Sequence, residues 1–142
     1  MRRSDFGALP RLPKRQRRDI MIIPILRSFD EGKLRAFYLD YLGFIIDWEH
    51  RFGPDMPLYL QVSRGDWVIH LSEHHGDACP GAALRLSTDK LDALFAEWQA
   101  KGYPNARPAI ETMPWGCREL QVRDPFGNRL IFTESLPPEE NT

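Results

Sequence analysis

Apolar side chains along this chain follow two spacings, one helical and one extended. In two segments they recur at every third or fourth position, as on one face of an α-helix. These helical segments span residues 30–44 and 89–103. Both begin with Asp, so we predict that Asp30 and Asp89 cap the helix N-termini. Both end with Gly and an aromatic residue, so we expect Gly43 and Gly102 to end the helices in the left-handed conformation.

Short apolar runs flank both helical segments and predict β-strands. One run precedes each helix and three follow it, separated by turn signals such as Arg64-Gly65-Asp66. The predicted strands span residues 20–28, 44–52, 57–65 and 66–73 in the first half, and 81–87, 106–113, 118–124 and 128–135 in the second half. The two halves therefore repeat each other.

This repeat predicts an α+β fold of two tandem βαβββ modules, whose mostly antiparallel, curled sheets surround a groove. Each helix covers one face of a four-stranded sheet, and the other face lines the groove. We expect one domain at residues 20–136, with module one at residues 20–77 and module two at residues 81–136. Residues 1–19 are expected to form a disordered basic arm, and residues 137–142 a tail.

The composition predicts a cytoplasmic protein with no membrane partner. The chain has 142 residues, 42% of them hydrophobic, but no apolar run of membrane-spanning length and no signal-peptide pattern. Cys79 and Cys117 lack the spacing of a zinc site. The arm holds seven Lys or Arg against two Asp, a charge that can bind nucleic acid. No nucleic-acid-binding motif follows the arm, so a solvated tail is the favoured interpretation.

Three segments carry a resemblance to a known family. They are the helix end FYLDYLGF at residues 37–44, the tripeptide PWG at residues 114–116 and the turn DPFGNRLIF at residues 124–132. Together with the paired modules, they resemble the glyoxalase/bleomycin resistance protein/dioxygenase superfamily, also called the vicinal oxygen chelate superfamily. The resemblance covers about residues 20–136. PWG followed by DPFGN resembles the bleomycin-resistance branch in particular.

Enzymes of that superfamily usually hold a divalent metal, and the resemblance implies four ligand positions on the first and last strands of the modules. At these positions stand Ile23 or Pro24, His70, Ala82 or Ala83, and Ile131. Only His70 offers a metal donor, and one imidazole does not hold a divalent ion in an apolar cavity. The resemblance therefore implies a binding protein with no catalytic residue, metal or cofactor. The alternative is a glyoxalase-like lyase or thiol transferase whose metal is held by His70, Glu73 and His74.

The PWG tripeptide supplies the first candidate ligand contact. By resemblance, Trp115, next to Gly116, stacks on a planar heteroaromatic group of the ligand. The alternative is that Trp115 fills a gap at the edge of the sheet. His70 and Ser72 lie two positions apart on one predicted strand, so both face the same side and can add polar contacts.

A second candidate region lies between residues 47 and 52, where aromatic and acidic side chains alternate. Trp48 and Phe52 stand among the carboxylates Asp47 and Glu49, a mixture that suits a cationic, partly aromatic ligand. We therefore predict a protein that sequesters a cationic glycopeptide antibiotic of the bleomycin type. The resemblance also implies a homodimer with two equivalent crevices at its interface.

Overall fold

The computed structural model describes residues 20–103 and 108–137. The predicted basic arm at residues 1–19 and most of the predicted tail lie outside the described residues. The helices and strands, in chain order, are β1 (Ile25–Arg27), α1 (Glu31–Leu34), β2 (Ile45–His50), β3 (Tyr59–Arg64), β4 (Trp67–Ser72), β5 (Ala83–Ser87), α2 (Leu91–Lys101), β6 (Ile110–Met113), β7 (Cys117–Arg123) and β8 (Arg129–Ser135). A π-helical segment, Arg35–Tyr41, continues α1 without a break.

The strands form two four-stranded sheets, one from each half of the chain. Sheet one has the order β1-β4-β3-β2 and sheet two the order β5-β8-β7-β6. In each sheet the first and last strands of the half pair in parallel, and the other pairs are antiparallel. The predicted α+β class with two βαβββ halves is confirmed, and neither sheet closes on itself.

The first helix begins and ends as the sequence predicts, but its winding differs. Asp30 Oδ1 accepts a hydrogen bond from the Lys33 backbone N–H at 3.0 Å, and Gly43 has a φ of 82°. The backbone N–H of Leu42 donates to the carbonyl of Phe37, five residues earlier, at 2.9 Å. Apolar spacing alone does not distinguish this wider winding from an ordinary α-helix.

Two local predictions are wrong. Asp89 does not cap α2, because Thr88 Oγ1 accepts from the Lys90 N–H at 3.0 Å and Glu134 Oε1 from the Leu91 N–H at 2.9 Å. Strand β1 is three residues long rather than nine. Pro24 has no N–H to extend the ladder, which explains the late start of this strand.

Each helix covers one face of its sheet, and the alternate strand residues point to the other side. The covered faces carry fully buried side chains, among them Leu60, Val62, Leu120 and Phe132. We call the uncovered side of each sheet its open face. The open face carries Ile25, Trp48, Tyr59, Gln61 and His70 in sheet one, and Arg85, Glu119, Gln121 and Ile131 in sheet two.

The two halves share one apolar core. Trp98 of α2 packs on Phe132 with ring centroids 4.8 Å apart, and Trp67 of β4 packs on the same ring at 5.2 Å. The Tyr38 hydroxyl, on the π-helical segment, donates to Asp124 at 2.6 Å. No helix within residues 20–103 and 108–137 is long and apolar enough to cross a membrane.

Candidate ligand-binding site

The strand register defines which residues stand at the centre of the two open faces. Ile25 lies opposite His70 in sheet one, and Arg85 lies opposite Ile131 in sheet two. The positions predicted from the sequence lie one or two residues before Ile25 and two or three residues before Arg85. The centre therefore carries one imidazole, one guanidinium and two isoleucines.

Both ring nitrogens of His70 are occupied by hydrogen bonds. Gln61 Nε2 donates to Asp47 at 3.0 Å, which leaves Gln61 Oε1 to accept from His70 Nε2 at 2.9 Å. His70 Nδ1 then accepts from the Tyr59 hydroxyl at 2.7 Å. Burial lowers the pKa of His70, which favours the neutral imidazole, and the two hydrogen bonds select this tautomer. No lone pair of the imidazole is left for a metal ion.

The remaining donors do not fit the divalent metal that the resemblance associates with enzymes. Within the described ranges, no three His, Cys, Asp or Glu side chains are close enough to share an ion. Glu73 Oε1 accepts a hydrogen bond from the Leu58 N–H at 3.0 Å. The alternative ligand set of His70, Glu73 and His74 is therefore not assembled, and Arg85 brings a positive charge to the centre.

The structure brings Trp48 and Phe52 together around a pocket of about 410 Å³ on sheet one. This pocket, which we call the aromatic pocket, is lined by Trp48, His50, Phe52, Tyr59, His74 and Asp77. Trp48 stacks on Tyr59 with centroids 6.0 Å apart and planes 7° apart. Phe52 is 77% exposed and contacts His50 edge-on at 4.6 Å.

A β-bulge in β2 decides which residues of the predicted 47–52 region reach the open face. The pairing with β3 shifts between Ile46 and Trp48, so Asp47 is the extra residue. The bulge turns Trp48 to the open face. Asp47 also lies there and accepts from Gln61 and Ser63 at 3.0 Å each.

Two predicted ligand contacts are placed elsewhere by the structure. Glu49 pairs with the buried Leu60, so it lies on the helix side, where Arg35 contacts it at 3.4 Å. Ser72 is fully buried; its hydroxyl donates to Asp77 at 2.6 Å and accepts from the His74 N–H at 3.0 Å. Neither side chain is offered to a ligand on the open face.

The sequence interpretation did not select four residues of the aromatic pocket as ligand contacts: His50, Tyr59, His74 and Asp77. It considered His74 only as a metal ligand. An alignment of the two predicted strands could have identified the pairing of His50 with Tyr59 across β2 and β3. Asp77 stands in the connection between the halves, and no sequence signal shows which way that connection folds. Burial raises the pKa of Tyr59, and the charge of Asp77 raises it further.

Trp115 and Gly116 form the tight connection between β6 and β7 in sheet two. Gly116 has a φ of 92°, and its carbonyl accepts from the Leu136 N–H at 3.0 Å. Trp115 is 64% exposed and does not line the aromatic pocket. Its near neighbour is the buried Glu119, whose pKa is held below its usual value mainly by a hydrogen bond from Arg85 at 2.5 Å.

Comparisons with known proteins identify the family and similar folds. A protein-family model described as glyoxalase superfamily protein matches residues 18–139. A bleomycin resistance determinant encoded on the transposon Tn5 is 25% identical with a TM-score of 0.65, covering 81% of this chain and 97% of that chain.

Two solved structures from Streptomyces sp. CB03234 are also similar. A glyoxalase/bleomycin resistance protein is 27% identical with a TM-score of 0.59, covering 78% of this chain and 96% of that chain. TnmS3, an antibiotic binding protein, is 25% identical with a TM-score of 0.61, covering 80% and 93%. The comparison with curated proteins finds no match.

Proposed function

The chain belongs to the glyoxalase superfamily, and from that premise we propose that it binds and sequesters an antibiotic-type small molecule without transforming it. The observation that carries the proposal is the centre of the open faces. Its four positions hold Ile25, His70, Arg85 and Ile131, and the single imidazole is already hydrogen-bonded on both nitrogens. Such a centre can contact a guest but has no group arranged to activate it.

Exposed aromatic side chains support the binding role. Trp48 and Phe52 on sheet one and Trp115 on sheet two are 43%, 77% and 64% exposed. Flat rings of this kind can stack on planar groups of a ligand. We propose that these three side chains, with Gly116 approaching closely at its turn, contact the ligand while His70 and Asp47 line the face between them.

The ligand we propose is a cationic glycopeptide of the bleomycin type. Two of the similar structures are named for bleomycin resistance and one for antibiotic binding. Asp47 places a carboxylate on the open face of sheet one, which suits a positively charged guest. Useful sequestration needs a micromolar dissociation constant or better, which corresponds to about 8 kcal/mol.

We propose that the protein acts as a homodimer with its crevices at the interface. Exposed apolar side chains on the open face of sheet one support this: Ile25, Ile45 and Trp48 are 41%, 62% and 43% exposed. Large exposed apolar patches on a protein surface often mark a binding interface. Light scattering on the purified protein should give twice the mass of the chain, and Ile45→Glu should shift that mass toward one chain. A wild-type mass of one chain would contradict the dimer.

Calorimetric titration with metal-free and copper-loaded bleomycin tests the ligand. Trp48→Ala and Trp115→Ala should each weaken binding, by about tenfold if a stacked ring contributes up to about 1.5 kcal/mol. Phe29→Ala is the matched control, because Phe29 is an exposed ring packed on Phe126, outside the proposed contacts. It should leave the affinity unchanged.

The same experiment defines how the proposal fails. Absence of binding heat at tens of micromolar protein, on the order of the affinity that sequestration requires, rejects bleomycin as the ligand. Equal affinity for wild type, Trp48→Ala and Trp115→Ala rejects the proposed contacts. Stoichiometric metal that survives dialysis, with turnover of a glyoxalase substrate, would replace the binding role by the enzymatic one.

A further inference from the structure

We propose that the aromatic pocket is a site for an organic ammonium group, either a protonated amine or a quaternary ammonium, with Asp77 as its counter-charge. This inference rests on the proposed function and deepens it by naming the ligand chemistry of one part of the site. It assigns a binding role to His50, Tyr59, His74 and Asp77.

Five rings enclose the pocket in a nearly continuous circuit. Trp48 stacks on Tyr59, and Tyr59 contacts His74 with centroids 6.3 Å apart. His74 in turn meets Phe52 at 6.4 Å, and Phe52 meets His50 at 4.6 Å. His50 closes the circuit, two residues after Trp48 on the same strand. Faces of aromatic rings attract cations through the ring quadrupole, and Trp and Tyr do so most strongly.

Asp77 places a negative charge in the wall of this circuit. Across the described residues, Asp77 has no salt-bridge partner, although eight other ion pairs occur there. Arg27 pairs with Ser72 between β1 and β4, and its side chain donates to the carbonyl of His74 at 2.8 Å rather than to the Asp77 carboxylate. Asp77 is exposed to solvent, so a cation from solution can reach its carboxylate and is attracted by its charge.

The carboxylate is also fixed in position. Ser72 is fully buried, and its hydroxyl donates to Asp77 Oδ2 at 2.6 Å. The Asp77 backbone N–H donates to the carbonyl of His74 at 3.2 Å. Among the described residues, Oδ1 of Asp77 accepts no hydrogen bond, so it can accept one from a protonated amine or lie against the methyl groups of a quaternary ammonium. A preorganised acceptor reduces the entropy lost on binding.

Other occupants fit the pocket less well. The side chains of the pocket do not suit a metal ion, because no three His, Cys, Asp or Glu side chains in the described ranges are arranged around a common point. An anion would be repelled by the negative charge of Asp77. A neutral aromatic group could fill the volume of about 410 Å³, but it would gain no attraction from the charge of Asp77. The volume lies within the usual range for small-molecule sites, roughly 300–1,000 Å³.

Choline and its uncharged carbon analogue, in which a tert-butyl group replaces trimethylammonium, test the charge requirement directly. Two-dimensional NMR of the isotope-labelled full-length protein follows the indole N–H of Trp48 and the nearby amides during each titration. We expect saturable shifts with choline and binding at least about tenfold weaker for the carbon analogue, because the analogue loses the attraction of a cation to the rings and to Asp77.

Two variants connect that difference to the pocket. Asp77→Asn removes the attraction between two opposite charges, so it should weaken choline binding about tenfold or more and leave the carbon analogue unaffected. Phe52→Ala should weaken choline binding with little risk to folding, because Phe52 is 77% exposed. Glu111→Gln removes an exposed carboxylate of β6 in sheet two. It controls for net charge and should bind choline as the wild type does.

Three results would overturn the inference: equal affinity for choline and its carbon analogue, no effect of both Asp77→Asn and Phe52→Ala, or no saturable binding of choline. The proposed function is tested separately by bleomycin calorimetry. Choline binding without bleomycin binding would leave the ammonium site in place and reject the proposed ligand. Bleomycin binding without choline binding would support the proposed ligand and reject the ammonium site.

Discussion

Tyr38→Phe should destabilise the protein, because it removes one of four hydrogen bonds to a buried carboxylate. Asp124 is 4% exposed and accepts from the Tyr38 hydroxyl at 2.6 Å. Its other donors are the backbone N–H groups of Phe126 and Asn128 and the Asn128 side chain, each at 2.8 Å. The Asn128 side-chain amide also bonds to the backbone of Arg27 and Ala82. The network therefore sets the position of one sheet relative to the other.

The magnitude follows from the charge and burial of this carboxylate. A hydrogen bond to a charged group contributes about 1.5–3 kcal/mol, and Tyr38→Phe deletes only the hydroxyl. For a domain of this size each kcal/mol corresponds to roughly 3–4 °C, so the melting temperature should fall by roughly 5–12 °C. Urea unfolding followed by circular dichroism gives the free energy of unfolding, and scanning calorimetry gives the melting temperature.

Tyr41→Phe is the matched control on the same π-helical segment. Tyr41 is 2% exposed, and its hydroxyl has no hydrogen-bond partner among the described residues. Its removal should therefore leave the free energy of unfolding unchanged or raise it by up to about 1 kcal/mol. Equal losses in Tyr38→Phe and Tyr41→Phe would refute the reasoning, because the loss would then reflect disturbed packing rather than the bond to Asp124.

Three further predictions concern pH, backbone and metal. Burial lowers the pKa of His70 below 6.5. As the pH falls, the unfolded chain therefore binds a proton at this histidine before the folded protein does, and the free energy of unfolding should decrease below about pH 6.5. His70→Gln should flatten that fall in urea midpoints, and an unchanged slope would contradict it. Gly102→Ala should lower the free energy of unfolding by about 1–2 kcal/mol, because φ is 66° there and the added Cβ meets open space. Gly43→Ala should lower it more, because the added Cβ would lie 2.7 Å from Arg64. Equal losses in urea unfolding would contradict this. Dialysis against a chelator should leave the melting temperature unchanged, because the donor set does not fit a metal; a fall would count against that conclusion.

Much of the fold could be predicted because its signals are local. Apolar spacing indicated both helices, and glycines at Gly43 and Gly102 marked their ends, where φ is positive. Asp30 was predicted to cap its helix and does, but Asp89 was predicted to cap and does not. The N–H groups of α2 instead find Thr88 and the distant Glu134. A cap supplied from another strand leaves no local sequence signal.

The candidate site was predictable only in part, because a strand residue changes face with every shift of one position. The bulge after Ile46 places Trp48 on the open face and leaves Glu49 on the helix side. Tertiary contacts likewise buried Ser72 and brought Asp77 into the aromatic pocket.

The sequence by itself determined the two βαβββ halves, the family and the aromatic character of the surface, since these depend on residue type and spacing along the chain. The tertiary structure alone decided which side chains meet around one pocket and which carboxylate faces it. Those outcomes depend on a bulge, a strand register and hydrogen bonds between residues far apart in the chain, and none of these is encoded in local spacing.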